Sequence, residues 1–334
     1  MMPRVTIQDV ANLAKVTKGT VSRVLSGKGQ ISKDKQEAVL AAVETLNYIP
    51  NRRARALATG RTAAVAVVMT EPMEHFFHDP TFSLILKGIY EGMDGTDYLP
   101  VLLHATAPAE EKKIADLAST GSFDALIHLS PWADHGLLAS LATAKLPVVL
   151  CGFPVERSAY PEFSVVYSDD VLGAKLAASY CLSQGVKKPV VISGEEGNPA
   201  AEDRVKGYRE VYAQLHEENR VLYGGWAEAD GALAVAHLRE QGIDFDCLLC
   251  GSDRIARGAI NYLLSEGVKI PAGVKVIGFD DNDTATSSAP HITTVAQPMV
   301  EQGKRAFQVA SEMVEGEVAG LHTLDVVLKE RESA

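Results

Sequence analysis

A chain of 334 residues is too long for one small core and suits two or three domains. Its 46% hydrophobic and 22% charged content is that of an ordinary globular protein, and the want of any apolar run of about 18 residues excludes a membrane-spanning helix. The net charge of −11 is split unevenly: residues 1–61 hold 11 Lys/Arg against 4 Asp/Glu, a balance of +7, so a polyanion is expected at the head and a different partner at the acidic body.

The head reads as three short helices. In "VTIQDVANLAKVTKGTVSRVLSG" Thr6 caps the first, with Asp9 completing a weak capping box, and Val10, Leu13 and Ala14 repeat on its inner face. Lys15-Val16 is a tight turn. Thr17 then caps a second helix from Lys18, with Val21, Val24 and Leu25 inward. Ser32 opens a third, whose stripe is Ala38, Val39, Ala42, Val43 and Leu46. Hydroxyl and basic residues at the start of the second helix fit a helix-turn-helix; a plain helical bundle is the competing reading. Next, "NYIPNRRARALATGRT" (47–62) has a Pro50-Asn51 start, Leu57 alone among Ala and Arg, and a Gly60 stop. About nine residues do not hold a helix alone in water. A conditional basic helix with one apolar wedge suits a minor groove, where the wedge unstacks a base step.

The stretch 5–62 resembles the headpiece and hinge of the lactose-repressor (LacI) family of bacterial transcription regulators, and the likeness runs on to "VVLKERESA" at the end. The resemblance implies a headpiece reading the major groove through Lys18, Gly19 and Arg23. It also implies a hinge that folds on operator DNA and inserts Leu57 at a central C-G step. Lys18 can donate to guanine O6/N7 and Arg23 can do so bidentately, whereas Gly19 has no side chain to read a base. Thr6, Thr17, Thr20 and Ser22 suit phosphate contacts. In the hinge, Asn51, Ala54 and Arg55 face or flank the minor groove, Arg55 being equally suited to phosphate.

The body alternates apolar strands with amphipathic helices. Strands are expected at 63–69, 99–105, 125–130, 147–152, 163–168, 189–194, 247–252, 274–280, 292–297 and 324–330. Near-continuous Val/Ile/Leu strands between helices mean parallel sheets covered on both faces. The series breaks near Tyr167–Asp170, which predicts two doubly wound subdomains with a cleft at the strand C-terminal ends. The family likeness adds three chain crossings. The fold class is therefore α/β: an all-α helix-turn-helix headpiece (1–49), a hinge helix (50–61) and a core (62–334) of two periplasmic-binding-protein-like subdomains. The first of these spans about 62–167 and 297–324, the second about 168–296 and 325–334.

Enzyme signatures are missing: there is no G-x-G-x-x-G after a strand, no G-x-x-x-x-G-K-[ST], no G-x-S-x-G and no H-E-x-x-H. No catalytic residue, cofactor or metal is expected. Cys247 and Cys250 form C-x-x-C without a second ligand pair, and "DDNDTATSS" lacks the glycine and terminal Glu of a calcium loop. Ligand chemistry is instead expected at strand ends, from Thr70, Ser130 beside Trp132, Arg204, Ser252, Asp253 and Asp280. Charged groups and an aromatic face together recognise sugars. The resemblance places Arg204 and Asp280 on the family's effector-binding Arg and Asp, Ser252 where many members have Asn, and Trp226 on a ring-stacking aromatic. It also brings in Phe82 and Asp169. The competing readings are a structural ion pair of Arg204 with Asp203 or Glu202, and a merely packed Trp226.

The expected protein is a homodimeric regulator, most simply a repressor, binding a pseudo-palindromic operator under control of a small effector, a sugar before a nucleobase or sugar phosphate. A solute-binding protein is the alternative, but "MMPRVTIQDV" lacks the apolar core of an export signal, so a cytoplasmic location is expected. No leucine heptad follows the final strand, so no tetramerisation helix is expected.

Overall fold

The computed structural model describes residues 5–26, 30–49, 56, 60–132, 136–156, 158–217 and 219–334, in two units, 1–62 and 63–334. Asn51, Ala54, Arg55 and Leu57 lie outside the described residues.

Apolar residues at helical spacing build the head from α1 (Ile7–Leu13), α2 (Lys18–Ser26) and α3 (Lys33–Thr45). The Asp9 carboxylate accepts from the Thr6 N–H at 2.8 Å and the Thr6 hydroxyl at 2.7 Å, which closes the first turn of α1. Lys15 turns the chain with φ +54°, and Thr17 Oγ1 accepts from the Thr20 N–H at 3.1 Å to start α2. Val10, Ala11, Val21, Val39, Ala42 and Tyr48 form the core. Leu13 and Ala38, expected inside, are exposed. The buried stripe of α1 runs through Ile7, Val10, Ala11 and Ala14, and Leu13 falls off it.

In the second unit β1 (Ala64–Met69), β2 (Leu99–His104), β3 (Ala125–Leu129), β4 (Val148–Cys151), β5 (Ser164–Ser168) and β11 (Leu321–Leu324) form one sheet, in order β11-β5-β4-β3-β1-β2. β6 (Pro189–Ser193), β7 (Val221–Tyr223), β8 (Cys247–Cys250), β9 (Lys275–Asp280), β10 (Thr293–Ala296) and β12 (Val327–Lys329) form the other, in order β12-β10-β9-β8-β6-β7. The two sheets thus repeat one layout. Every pairing is parallel except that of β10 with β12. The chain crosses between sheets after β5, after β10 and after β11. Apolar clusters cover both faces of each sheet.

Two expectations need correction. The run 324–330 is not one strand: β11 ends at Leu324 in the first sheet and β12 begins at Val327 in the second. β2 is not buried on both faces, because it is an edge strand with Leu99 and Leu102 about half exposed.

Among the helices, α4 (Met73–His78) and α5 (Pro80–Met93) follow β1, α6 (Pro108–Ser119) follows β2, and α7 (Leu137–Thr143) follows β3. Beyond the first crossing come α8 (Asp170–Ser183), α9 (Pro199–Val211), α10 (Glu228–Glu240) and α11 (Asp253–Ser265), and α12 (Met299–Val314) returns to pack on α5. That return needs glycine on both helices. A Cβ on Gly88 would overlap the Val300 carbonyl, and one on Gly303 the Ile85 carbonyl. We expect Gly88→Ala to destabilise the body by about 1–2 kcal/mol in urea unfolding, crowding outweighing the gain in helix propensity. An unchanged midpoint would mean that the helices can part at no cost.

Candidate functional site

Two faces carry chemistry. On the head, α2 presents Lys18, Gly19, Ser22 and Arg23 to solvent, with Thr6 and Thr17 also exposed and Thr20 half-buried, its hydroxyl 3.0 Å from that of Thr17. Lys18, Gly19, Ser22 and Arg23 thus share one exposed helix, with Arg23 in its last turn, while Thr6 stands at the start of α1.

The second face is a cavity of about 250 Å³ between the two sheets, at the C-terminal ends of their strands. Strand ends and the helix starts after them build it, because those turns leave polar side chains directed along the strand axis. Arg204, in the first half of α9 and only 5% exposed, is its centre. Its Nε donates to Asp170 Oδ1 at 2.7 Å, and its Nη1 donates to the Gly251 carbonyl and lies 3.6 Å from Asp280 Oδ1. The guanidinium stacks on Phe279 at 3.9 Å and stands 5.7 Å from the Trp226 ring. Trp226 lies against Gly194, where any Cβ would strike the indole.

The opposite wall is set by Glu71, the second residue after β1. Its Oε1 accepts from Ser130 Oγ at 2.8 Å and Trp132 Nε1 at 2.7 Å, and its Oε2 lies 3.4 Å from His75 Nδ1. Among the described residues one ion pair joins the walls: Arg254 Nη2 in α11 meets Asp79 Oδ2 at 2.5 Å, while Asp79 Oδ1 accepts from the Thr81 N–H and caps α5.

Backbone strain and burial mark the same place. Ser130 has φ +56° and Asp280 φ +117°, left-handed values at two strand ends. Burial pushes the Asp280 carboxyl up to about 7, against Arg204, and Gln297 Nε2 donates to its Oδ1 at 2.7 Å. Burial likewise raises Asp170, again against Arg204. Ser168 Oγ, on the cavity wall and 3% exposed, has no hydrogen-bond partner among the described residues. His128 beneath the site is driven down to about 3 by burial and stays neutral.

Of the effector residues expected from sequence, Phe82, Ser130, Arg204, Trp226 and Asp280 line this cavity, as does Trp132. Arg204 pairs with Asp170 and Asp280 instead of Asp203 or Glu202. Four of the expected residues do not line the cavity. Thr70 turns inward, donating to the Ser130 carbonyl at 3.3 Å and lying 3.3 Å from His128 Nε2. Asp169 spends its side chain on the Leu172 N–H as the cap of α8, and its neighbour Asp170 faces Arg204. Ser252 caps α11, accepting from the Ile255 N–H at 3.2 Å. Asp253 is fully buried below the cavity, bound by Thr294 Oγ1 at 2.6 Å. Glu71, Asp79, Asp170, Glu195, Asp230 and Arg254 line the cavity and were missed. Each sits within about a turn of a strand or helix end, which was the available signal.

A helix-turn-helix head and a two-sheet α/β body with a cleft of this kind define a class: DNA-binding proteins that carry a ligand-binding module. Residues 6–51 match the family described as bacterial regulatory proteins, lacI family, and residues 178–334 match a periplasmic binding protein-like domain. The transcriptional regulator CelR of Thermobifida fusca is 31% identical over 319 residues, 94% of this chain and 93% of that one. GalR of Salmonella typhimurium is 30% identical over 91% of this chain and 88% of its own. A solved complex of a transcriptional regulator CelR with cellobiose has a TM-score of 0.77 and 28% identity, covering 99% of this chain and 100% of that one. The chain belongs to the LacI family and is a DNA-binding transcriptional regulator. Among its described residues no helix is long and apolar enough to cross a membrane.

Proposed function

We propose that this regulator is a homodimeric repressor of the cytoplasm whose hold on a pseudo-palindromic operator is set by a sugar in the inter-sheet cleft. The headpiece is taken as 1–49, the hinge as 50–61 and the effector core as 62–334. One observation carries the effector reading: a buried Arg204, fixed by Asp170 and Asp280 and lying over Phe279 near Trp226, at the meeting of two sets of strand ends. Fixed charged donors and acceptors beside an aromatic face match vicinal hydroxyls and apolar C–H faces. The solved complex of a similar regulator with cellobiose supports the same class. Two arginines against seven Asp and Glu on the cavity wall oppose a sugar phosphate.

In the head, Lys18 and Arg23 are proposed to read base edges in the major groove, with Thr6, Thr17, Thr20 and Ser22 on phosphates. Asn51, Ala54, Arg55 and Leu57 are proposed to act in the minor groove. Effector binding changes the angle between the subdomains and so the separation of the paired hinges. The test is a gel shift on a palindrome centred on C-G, with and without mono- and disaccharides. Retention that no saccharide alters would remove the sugar reading, and failure to retain any such palindrome would remove the operator reading. Leu57→Ala is expected to weaken specific binding about tenfold and to leave salt-dependent nonspecific binding intact. Equal loss of both contradicts the wedge.

A further inference from the structure

The charge of the cavity wall goes further than the sugar reading on which it rests. Arg204 is engaged by Asp170 and Asp280, and Arg254 by Asp79. No lysine lines the cavity among the described residues. That leaves, besides Asp203, three carboxylates at one end that neither arginine engages, with the His75 imidazole 3.4 Å from Glu71. Glu71 belongs to the first sheet's wall; Glu195, after β6, and Asp230, in the first turn of α10, belong to the second's. Glu71 is anchored by Ser130 and Trp132, which are neutral donors: they fix its place without cancelling its charge. Asp230 accepts from the Ala227 N–H at 2.9 Å and presses against Gly225, where a Cβ would collide with it. Burial first, then the charges of Glu71 and Asp230, push the Glu195 carboxyl up, with His75 pulling the other way. The two walls therefore repel where they approach.

A neutral polyol accepts and donates hydrogen bonds here and leaves that repulsion in place. A phosphate or carboxylate adds to it. An ammonium group cancels it at the moment the walls close, in a partly dry site where charge pairing is strong. Ser168 Oγ, buried on the same cavity wall without a partner, independently marks a ligand that brings a polar group with it. We propose that the effector is an amino sugar, its protonated amine seated between Glu71 on one wall and Glu195 with Asp230 on the other. The hydroxyls of the same ligand take Arg204 and Asp280, and its ring faces Trp226.

The test uses a matched set. Cellobiose and the β-1,4-linked glucosamine disaccharide differ in the hydroxyl or ammonium at C2 of each ring, and the N-acetylated disaccharide keeps the nitrogen but not its charge. Titration calorimetry of the full chain at neutral pH is expected to show the glucosamine disaccharide binding at least tenfold more tightly than either neutral sugar. The margin should shrink in high salt. Glu195→Gln is expected to narrow it, while Thr106→Ala, outside the cavity wall, keeps it. Equal affinities, or a preference for cellobiose that Glu195→Gln leaves alone, overturn the inference and leave the sugar reading standing. No heat and no thermal shift with these or any other saccharide overturns both.

Discussion

Arg204→Met is expected to abolish the response to effector and to destabilise the body by about 3–5 kcal/mol. The side chain is replaced by one of similar reach that still packs on Phe279, so the loss is chiefly electrostatic. Asp170 and Asp280 are left buried without their cation. Breaking such a cluster by removing one member costs more than the intact cluster contributes, because the orphaned charges cannot return to water. Asp280 already titrates near 7 in the folded protein against an ordinary 3.8, and without Arg204 it rises further. Across that window the folded state binds more protons than the unfolded one, so stability increases as pH falls. The deficit of the variant should therefore narrow between neutral pH and about pH 5, read as urea midpoints at both. A deficit that widens in acid would mean that the two carboxylates are not held by Arg204. Arg204→Lys keeps a charge but loses the planar fork, and is expected to recover part of the stability and little of the ligand response.

Much of this molecule can be read from its residues, and the failures have physical reasons. Strands buried on both faces announce themselves: 64–69, 125–129, 148–151 and 275–280 are short apolar runs, and each lies within a strand expected from the sequence. β7 and β11 are short and only partly buried, with sequences VLY and LHTL, so they offer neither length nor a clear alternation. The run 324–330 misled because Asp325 and Val326 pass between sheets without a glycine or proline to mark the break. At the site, one ambiguity accounts for the expected residues that the cavity lining leaves out. A short polar residue between a strand and a helix serves equally as a ligand contact or as a helix cap, and composition does not separate the two. Ser252 and Asp169 are caps; Asp170, one residue after Asp169, meets Arg204 in the cavity. The same one-residue offset separates Thr70, which faces His128, from Glu71, which faces the cavity. Arg204 and Asp280 escaped the ambiguity because a long cation and a carboxylate ending a buried strand have few ways to be satisfied.

Asp79→Asn is the second substitution expected to act strongly, and it separates two roles of one side chain. Oδ1 caps α5 through the Thr81 N–H, and asparagine keeps that bond. Oδ2 holds Arg254 across the cleft, and asparagine gives up its charge. The side chains are 14% and 19% exposed, so the pair is largely withdrawn from solvent and is not a screened surface contact. It joins elements packed on different sheets and can form only when the subdomains approach. It therefore biases the closed arrangement by its own coupling energy, roughly 2–3 kcal/mol for a pair of this burial. An effector that grips both walls binds the closed form. Loss of the pair should lower its apparent affinity by about 30- to 100-fold, with the body wider in small-angle scattering. Arg254→Gln should do the same, and the double variant should be no worse than either single one. If the double variant loses affinity as the product of the single losses, the two residues act separately and the pair does not govern closure. If Asp79→Asn changes neither scattering nor affinity, the cleft closes through its ligand alone, and Asp79 is only a helix cap.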